Sequence, residues 1–262
     1  MINAVLDTIR TVAQDEIMPR YLKVARQQKS DGSMFTEADV AAQAALVTGL
    51  RRVLDCPVLG EEMPAAEQER LWRDFSQSGL WCIDPIDGTS NFASGLPYFA
   101  VSVGLVRDGR SVLGAVYDPV AGEMFYAEKG AGAFLNGVSL PIKDHAPLFH
   151  HAMAAVDFKR LTRDLAREIA AAPPFASQRN FGASALDWCY TAAGRFDLYL
   201  HGGQKLWDYV AGALILEEAG GSVCTLSHDD FWRDDLWKRP VIAALDPGLF
   251  RDWKEWVRAR CG

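Results

Sequence analysis

The segment between residues 80 and 91 constrains the fold more than any other, because an apolar run leads directly into two acids and then into a turn. The run Leu80–Ile83 is compatible with a buried β-strand, and Asp84 and Asp87 follow it in the sequence Asp-Pro-Ile-Asp-Gly-Thr. The Gly88–Thr89 pair that comes next is typical of a chain that opens a helix, whose free N–H groups favour an anion. The sequence therefore predicts a strand that delivers two carboxylates to a site of phosphate size.

Two carboxylates this close to each other indicate a bound cation. They repel by about 4 kcal/mol at a separation of about 4 Å and an effective dielectric of about 20. Oxygen ligands without a nearby Cys-His pattern favour Mg²⁺ or Mn²⁺ over zinc. Taken alone, however, Asp84 and Asp87 also fit an ordinary Asp-Pro turn followed by an N-cap aspartate. Acids elsewhere in the chain decide between these two interpretations.

Two further segments carry acids where a metal site would need them. Glu61 and Glu62 follow the short apolar run Val58–Leu59, where a strand would end in a loop. Asp208 lies near the start of an apolar helix predicted over residues 206–219. Alone, Glu61 fits a solvated loop residue and Asp208 fits a first-turn acid favoured by the helix dipole. Their joint occurrence with the first acidic segment favours a two-metal hydrolytic site, which needs several convergent oxygen ligands.

With these acids in this order, the chain resembles the inositol monophosphatase superfamily of Mg²⁺-dependent, lithium-sensitive phosphomonoesterases. The motifs that carry the resemblance are Gly60-Glu61-Glu62, Asp84-Pro85-Ile86-Asp87-Gly88-Thr89, Trp207-Asp208, and the weaker Thr36-Glu37-Ala38-Asp39 preceded by Lys29-Ser30-Asp31-Gly32-Ser33. The resemblance implies a five-layer αβαβα sandwich, of mixed α+β or α/β class, as in inositol monophosphatase and fructose-1,6-bisphosphatase. We predict an N-terminal α+β domain over residues 1–143 and a C-terminal α/β domain over residues 144–262.

The resemblance also implies the metal ligands. Glu61, Asp84 and the backbone carbonyl of Ile86 look like ligands of one ion. Asp84, Asp87 and Asp208 look like ligands of a second, so Asp84 would bridge both. The implied cofactor is Mg²⁺, with two or three ions per site, and Mn²⁺ is an alternative. The second domain would supply Asp208, and the first would supply the other ligands.

Catalytic and phosphate-binding roles follow from the same resemblance. Thr89 and Glu61 look like the residues that orient and deprotonate the attacking water, and Asp39 looks like the acid that supports Thr89. The backbone N–H groups of Gly88 and Thr89 would bind the phosphate of the substrate, next to Asp87. The implied enzyme is a phosphoric monoester hydrolase that uses no covalent nucleophile.

Two single positions, and no longer motif, indicate which residues would contact the alcohol part of the substrate. Ser184 matches a position that usually contacts the sugar alcohol. His201 stands seven residues before Asp208, where many inositol monophosphatases carry a glutamate that contacts substrate hydroxyls. We expect His201 either to contact the substrate or to be a loop residue with a structural partner.

The substrate we expect is inositol 1-phosphate. Histidinol phosphate, fructose 1,6-bisphosphate and adenosine 3′,5′-bisphosphate are alternatives, because superfamily members share the metal core. A role as an interaction module in transcription or ribosome assembly is the non-enzymatic alternative, since some bacterial relatives associate with that machinery.

Composition agrees with one large core or two modest ones, because 49% of the 262 residues are hydrophobic. The net charge of −7 and the lack of a Lys/Arg-rich stripe argue against a nucleic-acid partner. Five scattered cysteines, no signal peptide and no membrane-spanning apolar run predict a cytoplasmic protein with reduced thiols and no membrane contact. The expected partners are a small phosphate ester and a second copy of the chain, since the resemblance implies a homodimer.

Apolar spacing predicts the elements in the rest of the chain. A helix is predicted over residues 2–17, with Pro19 ending or kinking it before a second helical stretch to about Gln28. Thr36 is predicted to cap a helix over residues 37–54. Short runs separated by turn sequences predict an antiparallel meander of strands at 98–106, 111–117, 124–128 and 132–135. The second half alternates strands and helices, at 152–156, 159–171, 183–193, 198–201 and 206–219.

Overall fold

The structure, a computed structural model, describes residues 1–23, 27–28, 34–143, 146–233 and 237–261. The predicted motif Lys29–Ser33 lies outside the described residues. Eight α-helices occur within the described ranges: α1 (Ile2–Val12), α2 (Glu37–Val53), α3 (Ala65–Phe75), α4 (Thr89–Ser94), α5 (Arg163–Ala171), α6 (Ser184–Ala192), α7 (Leu206–Glu218) and α8 (Pro247–Arg258). Fourteen strands occur in the same ranges: β1 (Gln27–Gln28), β2 (Met34–Phe35), β3 (Val58–Gly60), β4 (Leu80–Asp87), β5 (Ala100–Arg107), β6 (Arg110–Asp118), β7 (Glu123–Glu128), β8 (Ala133–Leu135), β9 (Val138–Ser139), β10 (Met153–Asp157), β11 (Ser177–Arg179), β12 (Leu198–Gln204), β13 (Ser222–Cys224) and β14 (Arg239–Ala244). Among the helices that the structure describes, none combines the length and the hydropathy that crossing a bilayer requires.

A seven-stranded sheet runs in the order β3-β4-β5-β6-β7-β8-β9. Strands β3 and β4 are parallel, and every later pair is antiparallel. The predicted antiparallel meander is therefore confirmed. Its tight turns follow from the sequence, because Asp108 and Asn136 adopt left-handed backbone at φ 52° and 49°, just before Gly109 and Gly137.

A five-stranded sheet runs in the order β11-β10-β12-β14-β13. Strand β10 is parallel to both β11 and β12, whereas β14 is antiparallel to its two neighbours. The carboxyl ends of β10, β11 and β12 therefore meet at one edge, where helix α6 follows β11 and helix α7 follows β12. Ligands of open α/β sheets bind beyond this edge.

The sheets and helices stack in five layers. Helices α1 and α2 pack on one face of the seven-stranded sheet. Helices α6 and α7 lie between its other face and the five-stranded sheet. Helices α5 and α8 cover the outer face of the five-stranded sheet. This order confirms the predicted αβαβα sandwich, while the division into domains at residues 143 and 144 remains a prediction.

Close contacts fix α7 in the central layer. A Cβ at Gly114 of β6 would lie 2.6 Å from the carbonyl oxygen of Ala211, and a Cβ at Gly212 would lie 2.4 Å from the Cβ of Trp188 in α6. The helix therefore approaches both neighbours as closely as its backbone allows. Because Asp208 lies in the first turn of α7, this packing also fixes that acid relative to the seven-stranded sheet.

The N-terminal helical segment changes its form before Pro19, where the sequence predicts an end or a kink. Helix α1 continues into a π-helical turn (Ala13–Ile17) and a 3-10 turn that contains Pro19. Leu22 then adopts left-handed backbone with a φ of 64°, and Gln27–Gln28 pairs with β2. Where the structure describes it, the predicted second helical stretch to about Gln28 is wrong, because Leu22 leaves the helical backbone and residues 27–28 form a strand. Residues 24–26 lie outside the described residues.

Helix α5 begins later than the predicted range of residues 159–171. The side chain of Thr162 accepts the N–H of Leu165, so the helix starts at Arg163. The preceding residues 158–160 form a separate 3-10 turn, which packs beside β12. The predicted start is therefore wrong by one turn, and the reason is a local cap.

Candidate active site

An irregularity in β4 brings Asp84 and Asp87 to the same side of the sheet. Residues three apart in a regular strand point to opposite faces. In the pairing of β4 with β5, Asp84 lies opposite Ser102 and Asp87 lies opposite Ala100, so β4 carries one extra residue in this interval. Both carboxylates consequently face the central helices.

Asp208 joins this pair from the first turn of α7. One oxygen from each of the three carboxylates of Asp84, Asp87 and Asp208 lies within 4.8 Å of the other two. The N–H of Lys205 donates to Oδ2 of Asp208 at 2.9 Å. The hydroxyl of Ser102 in β5 donates to the carbonyl oxygen of Trp207 at 3.1 Å. The first bond caps α7 and orients the Asp208 side chain, and the second holds the start of α7 against the sheet beside the first two acids.

The acid cluster, which we define as Asp84, Asp87 and Asp208, is electrostatically strained. Burial raises the pKa of Asp84 well above its usual range, and the charges of Glu61 and the other two acids raise it further. Burial and the charge of Asp208 likewise raise the pKa of Asp87. Burial raises the pKa of Asp208 to about 6, although the N–H of Lys205 lowers it. Three bare carboxylates are thus unfavourable together.

The acid cluster fits a divalent cation. Positive charge relieves the repulsion among carboxylates, and hard cations take oxygen ligands. The donor atoms brought together here are carboxylate oxygens, which suit Mg²⁺ or Mn²⁺ better than zinc. Ile86, the predicted ligand through its backbone, lies between Asp84 and Asp87, and its carbonyl oxygen lies 3.0 Å from Oγ1 of Thr89.

Glu61 lies beside the acid cluster in the loop that follows β3. Its N–H donates to the carbonyl oxygen of Ile83 at 3.2 Å. After burial, its charge contributes most to the raised pKa of Asp84. Gln68 of α3 donates to the carbonyl oxygens of Gly60 and Glu61 at 2.8 and 3.2 Å. Gln68 therefore holds the backbone that carries the predicted catalytic acid.

The hydroxyl of Thr89 lies between two acceptors at the start of α4. It is 3.0 Å from the carbonyl oxygen of Ile86 and 3.4 Å from Oδ1 of Asp39. Oδ2 of Asp39 accepts both the N–H and the hydroxyl of Thr36 at 2.7 Å. Burial raises the pKa of Asp39 to about 6, whereas the Thr36 hydrogen bonds lower it. The predicted cap at Thr36 is confirmed, and Asp39 lies next to Thr89 as the resemblance implies.

Gly88 forms the turn between β4 and α4. Its φ is 91°, a value that residues with a Cβ rarely adopt. A Cβ there would also lie 3.1 Å from the Cβ of Ala183 and from the carbonyl oxygen of Tyr98. The predicted phosphate-binding turn therefore packs directly against the residue that precedes α6.

The N-terminus of α6 reaches the acid cluster. The N–H of Ala185 donates to Oδ2 of Asp87 at 2.6 Å. Ser184 precedes it as the first residue of α6 and is half-buried. Ser184 thus borders the acid cluster where the resemblance implies a substrate contact, and that contact stays a prediction.

His201 lies in strand β12 and not in a loop. Its Nδ1 accepts the N–H of Gly203 at 3.0 Å, and its Nε2 lies 3.1 Å from Oδ2 of Asp157. Both ring nitrogens therefore have partners within the chain. These contacts favour a structural partner for His201 over direct contact with a substrate, and the predicted loop is wrong because β12 extends to Gln204.

Two acids near the cluster are missing from the sequence prediction. Asp157 ends β10 beside His201. Asp187 of α6 accepts the hydroxyl of Tyr98 at 3.0 Å, and its charge raises the pKa of Asp87. Their positions in the sequence could have indicated them as site residues. Asp157 directly follows a predicted strand, and Asp187 lies in the first turn of a predicted helix.

Comparisons with known proteins agree with this geometry. The model of the inositol monophosphatase family matches residues 2–258. The Nus factor SuhB of Pasteurella multocida (strain Pm70) is 37% identical over 201 residues, which cover 75% of this chain and 73% of that protein. The inositol-1-monophosphatase of Caulobacter vibrioides (strain ATCC 19089 / CIP 103742 / CB 15) is 32% identical over 266 residues, which cover 99% of this chain and all 100% of that protein.

A solved structure extends the likeness to the whole fold. The IMPase of Thermotoga maritima matches with a TM-score of 0.82 at 29% identity, and the match covers 100% of this chain and 99% of that one. The similarity therefore includes both sheets and every helix that positions the acid cluster.

Proposed function

The chain belongs to the inositol monophosphatase family, and we propose that it is a Mg²⁺-dependent phosphoric monoester hydrolase acting on inositol 1-phosphate. The observation that carries this proposal is the acid cluster. Asp84 and Asp87 from β4 and Asp208 from α7 bring oxygens within 4.8 Å of one another, although two sheets contribute the elements around them. Metal-dependent hydrolysis needs such convergent oxygen ligands from separate elements.

Five residues would hold the ions in this proposal. Glu61, Asp84 and the carbonyl of Ile86 would hold one, and Asp84, Asp87 and Asp208 would hold a second. A third ion per site is the alternative. When bound, Mg²⁺ would stabilise the charge on the phosphate and lower the pKa of the attacking water.

The chain's own residues would orient the reactants. In this proposal the Thr89 hydroxyl donates a hydrogen bond to Asp39, which leaves the threonine oxygen free to accept a hydrogen bond from the attacking water. Glu61 would take up the proton that the water releases. The N–H groups of Gly88 and Thr89 would bind the phosphate oxygens at the position where Gly88 opens α4.

A purified-enzyme screen tests the proposal. The panel contains inositol 1-phosphate, histidinol phosphate, fructose 1,6-bisphosphate and adenosine 3′,5′-bisphosphate, each with Mg²⁺, Mn²⁺ or EDTA, and with or without lithium. We expect phosphate release from inositol 1-phosphate that requires the metal and falls with lithium. Asp208→Asn should abolish it. Asp164→Asn is the matched control, because the side chain of Asp164 is 84% exposed and lies outside the acid cluster.

The same screen includes the result that rejects the proposal. If Asp208→Asn hydrolysed a phosphate ester at the wild-type rate, the assignment of Asp208 as a metal ligand would be wrong. Faster hydrolysis of another ester would keep the hydrolase and replace the substrate, because the acid cluster itself does not distinguish these four phosphates.

A second candidate is an interaction role in transcription, because the Pasteurella multocida relative is named a Nus factor. This role predicts that the protein hydrolyses none of the four esters and co-elutes with purified transcription elongation complexes. Hydrolysis that is lost in Asp208→Asn together with no co-elution would reject it.

The predicted homodimer belongs to the same proposal. We expect light scattering coupled to size-exclusion chromatography to give twice the mass of the 28.9 kDa chain. A monomer at working enzyme concentration would contradict the prediction without affecting the metal assignment.

A further inference from the structure

Asp157 and His201 lie towards the edge of the five-stranded sheet from which α7 carries Asp208 to the acid cluster. They end or nearly end the parallel strands β10 and β12 and are direct neighbours in the register. Helix α6 begins after β11 at Ser184, and helix α7 begins after β12 near Asp208. Ligands of open α/β sheets bind beyond the carboxyl ends of the parallel strands. The carboxyl ends of β10 and β12 therefore face the candidate active site from the side opposite β4.

The two side chains point inward, towards the central helices. Ala155 and Tyr199 are paired in the register two residues earlier, and both belong to the core that surrounds α6 and α7. Side chains two apart share a face of the sheet, so Asp157 and His201 share this inner face. Burial raises the pKa of Asp187 in α6 and of Tyr199, and the charge of Asp157 raises both further.

His201 has no donor left for a ligand. Its Nδ1 accepts the N–H of Gly203 at 3.0 Å, so the ring proton resides on Nε2 and is donated to Oδ2 of Asp157 at 3.1 Å. The side chain of His201 is only 8% exposed. The only N–H of the imidazole is therefore used in the hydrogen bond to Asp157.

Asp157 keeps unused acceptor capacity. Its Oδ1 accepts the N–H of Lys159 at 2.9 Å and its Oδ2 accepts His201, whereas a carboxylate offers about four acceptor positions. Its side chain is 22% exposed, more than that of His201. Although burial raises the pKa of Asp157, the hydrogen bond from His201 helps to lower it overall, so the group is a carboxylate at neutral pH.

Residues 158–160 follow this carboxylate and pack against the end of β12. A Cβ at Gly202 would lie 1.8 Å from the carbonyl oxygen of Arg160, so this turn packs directly on the end of β12. Asp208 lies only four residues beyond the end of β12, in the first turn of α7. Asp157 thus lies at the end of the five-stranded sheet from which α7 carries Asp208 to the acid cluster.

We propose that Asp157 accepts hydrogen bonds from the hydroxyl groups of a polyhydroxylated phosphate ester, and that His201 is the residue that positions its carboxylate. This inference rests on the proposed hydrolase function and specifies how that site recognises the alcohol part of its substrate. A carboxylate held by two fixed donors offers its free lone pairs in a defined direction, which suits the ring hydroxyls of a polyol.

The test compares two esters in the full-length enzyme with Mg²⁺. Inositol 1-phosphate carries several hydroxyls, whereas p-nitrophenyl phosphate carries none on its leaving group. We expect Asp157→Asn to lower kcat/KM for inositol 1-phosphate at least tenfold more than for p-nitrophenyl phosphate, mainly through KM, because a hydrogen bond to a charged group is lost. Asp246→Asn is the matched control, since Asp246 also accepts a backbone N–H, from Leu249, but lies at the opposite end of the sheet.

Variants of His201 test the positioning role. His201→Ala should raise KM for inositol 1-phosphate with a smaller effect on kcat. His201→Gln should restore much of the loss, because its side-chain amide can still donate to Asp157. A purely structural role would instead lower the melting temperature and affect both esters by the same factor.

The outcomes separate this inference from the proposed function. Hydrolysis of neither ester by the wild type would reject the proposed function together with the inference. Hydrolysis of p-nitrophenyl phosphate but not of inositol 1-phosphate, or an equal loss for both esters in Asp157→Asn, would overturn the inference and leave the hydrolase intact.

Discussion

The hydroxyl oxygen of Thr89 lies 3.4 Å from Oδ1 of Asp39, although fifty positions separate these residues in the chain. Asp39 is itself anchored, because its other oxygen accepts two hydrogen bonds from Thr36 in the cap of α2. The start of α2 is therefore tied to the start of α4. A residue that caps one helix thus fixes a hydroxyl beside the acid cluster.

This contact predicts that Asp39 and Thr89 act together. Thr89→Ala and Asp39→Asn should each lower kcat about 100-fold or more, the range expected for a positioned proton-transfer group. The double variant should lose little more than either single variant, because residues that act as a unit are not additive. Steady-state kinetics with inositol 1-phosphate measures this.

Two variants serve as controls for the pair. Thr89→Ser keeps the hydroxyl and should retain most of the activity. Thr48→Ala removes an exposed hydroxyl of α2 that bonds only to its own helix, at the carbonyl of Ala44, and should change nothing. Losses in Thr89→Ala and Asp39→Asn that multiply in the double variant would show that the two residues act independently.

Much of the fold followed from local sequence patterns. Strand β4, the meander after it and the apolar helix α7 were predictable, because their apolar periods and turn residues such as Asn136-Gly137 determine them locally. The stretch after Pro19 was not, because nothing in its composition indicates that Leu22 takes a left-handed backbone. Helix α3, which supplies Gln68, was also absent from the prediction.

The candidate site followed from the sequence only in part. The order of motifs placed Asp84, Asp87 and Asp208 together, and the structure brings them together. The extra residue in β4 that turns Asp87 to the same face was not predictable, because it depends on pairing with β5. The place of Asp157 after a predicted strand was visible in the sequence, but its pairing with His201, 44 positions away, was not.

Stability should depend on pH through Asp187. Burial raises the pKa of Asp187 to about 8, although the hydroxyl of Tyr98 lowers it. An unfolded aspartate titrates near about pH 4. Between these values the native state holds a proton that the unfolded state releases, so the free energy of unfolding should fall as pH rises. Urea unfolding in EDTA at pH 5.5, 6.5 and 7.5 measures this slope.

The variant Asp187→Asn isolates this contribution. The amide cannot titrate and still offers an oxygen to Tyr98, so the slope should become shallower than in the wild type. Asp7→Asn, on a side chain that is 75% exposed, should leave the slope unchanged. An Asp187→Asn slope equal to that of the wild type would assign the pH dependence to other groups.

The packing of α7 predicts a cost for any side chain at Gly114. Gly114→Ala places a Cβ against the carbonyl oxygen of Ala211, and backbone atoms cannot move aside without shifting the helix. We expect a loss of about 1–3 kcal/mol in the free energy of unfolding. We also expect lower kcat, because Asp208 moves with α7. Gly104→Ala, whose Cβ meets the side chain of Val210, should cost less, and an equal or smaller loss for Gly114→Ala would contradict this account.

Repulsion within the acid cluster predicts an unusual stability change. In EDTA, Asp84→Asn should raise the free energy of unfolding by about 1 kcal/mol or more, because it removes a buried acid that must either carry charge beside other carboxylates or take up a proton, and it keeps an acceptor for the N–H of Ile86. Asp164→Asn should have no such effect. Thermal unfolding in EDTA gives the comparison, and destabilisation of Asp84→Asn would indicate that the three acids are not in conflict without metal.

The most direct test of the central claim is isothermal titration calorimetry of Mg²⁺ into the metal-free protein and into Asp208→Asn. If Asp84, Asp87 and Asp208 hold the ion together, the wild type binds Mg²⁺ and releases protons, and Asp208→Asn binds at least ten times more weakly. Equal Mg²⁺ affinity in the two proteins would contradict the claim that this acid completes the site.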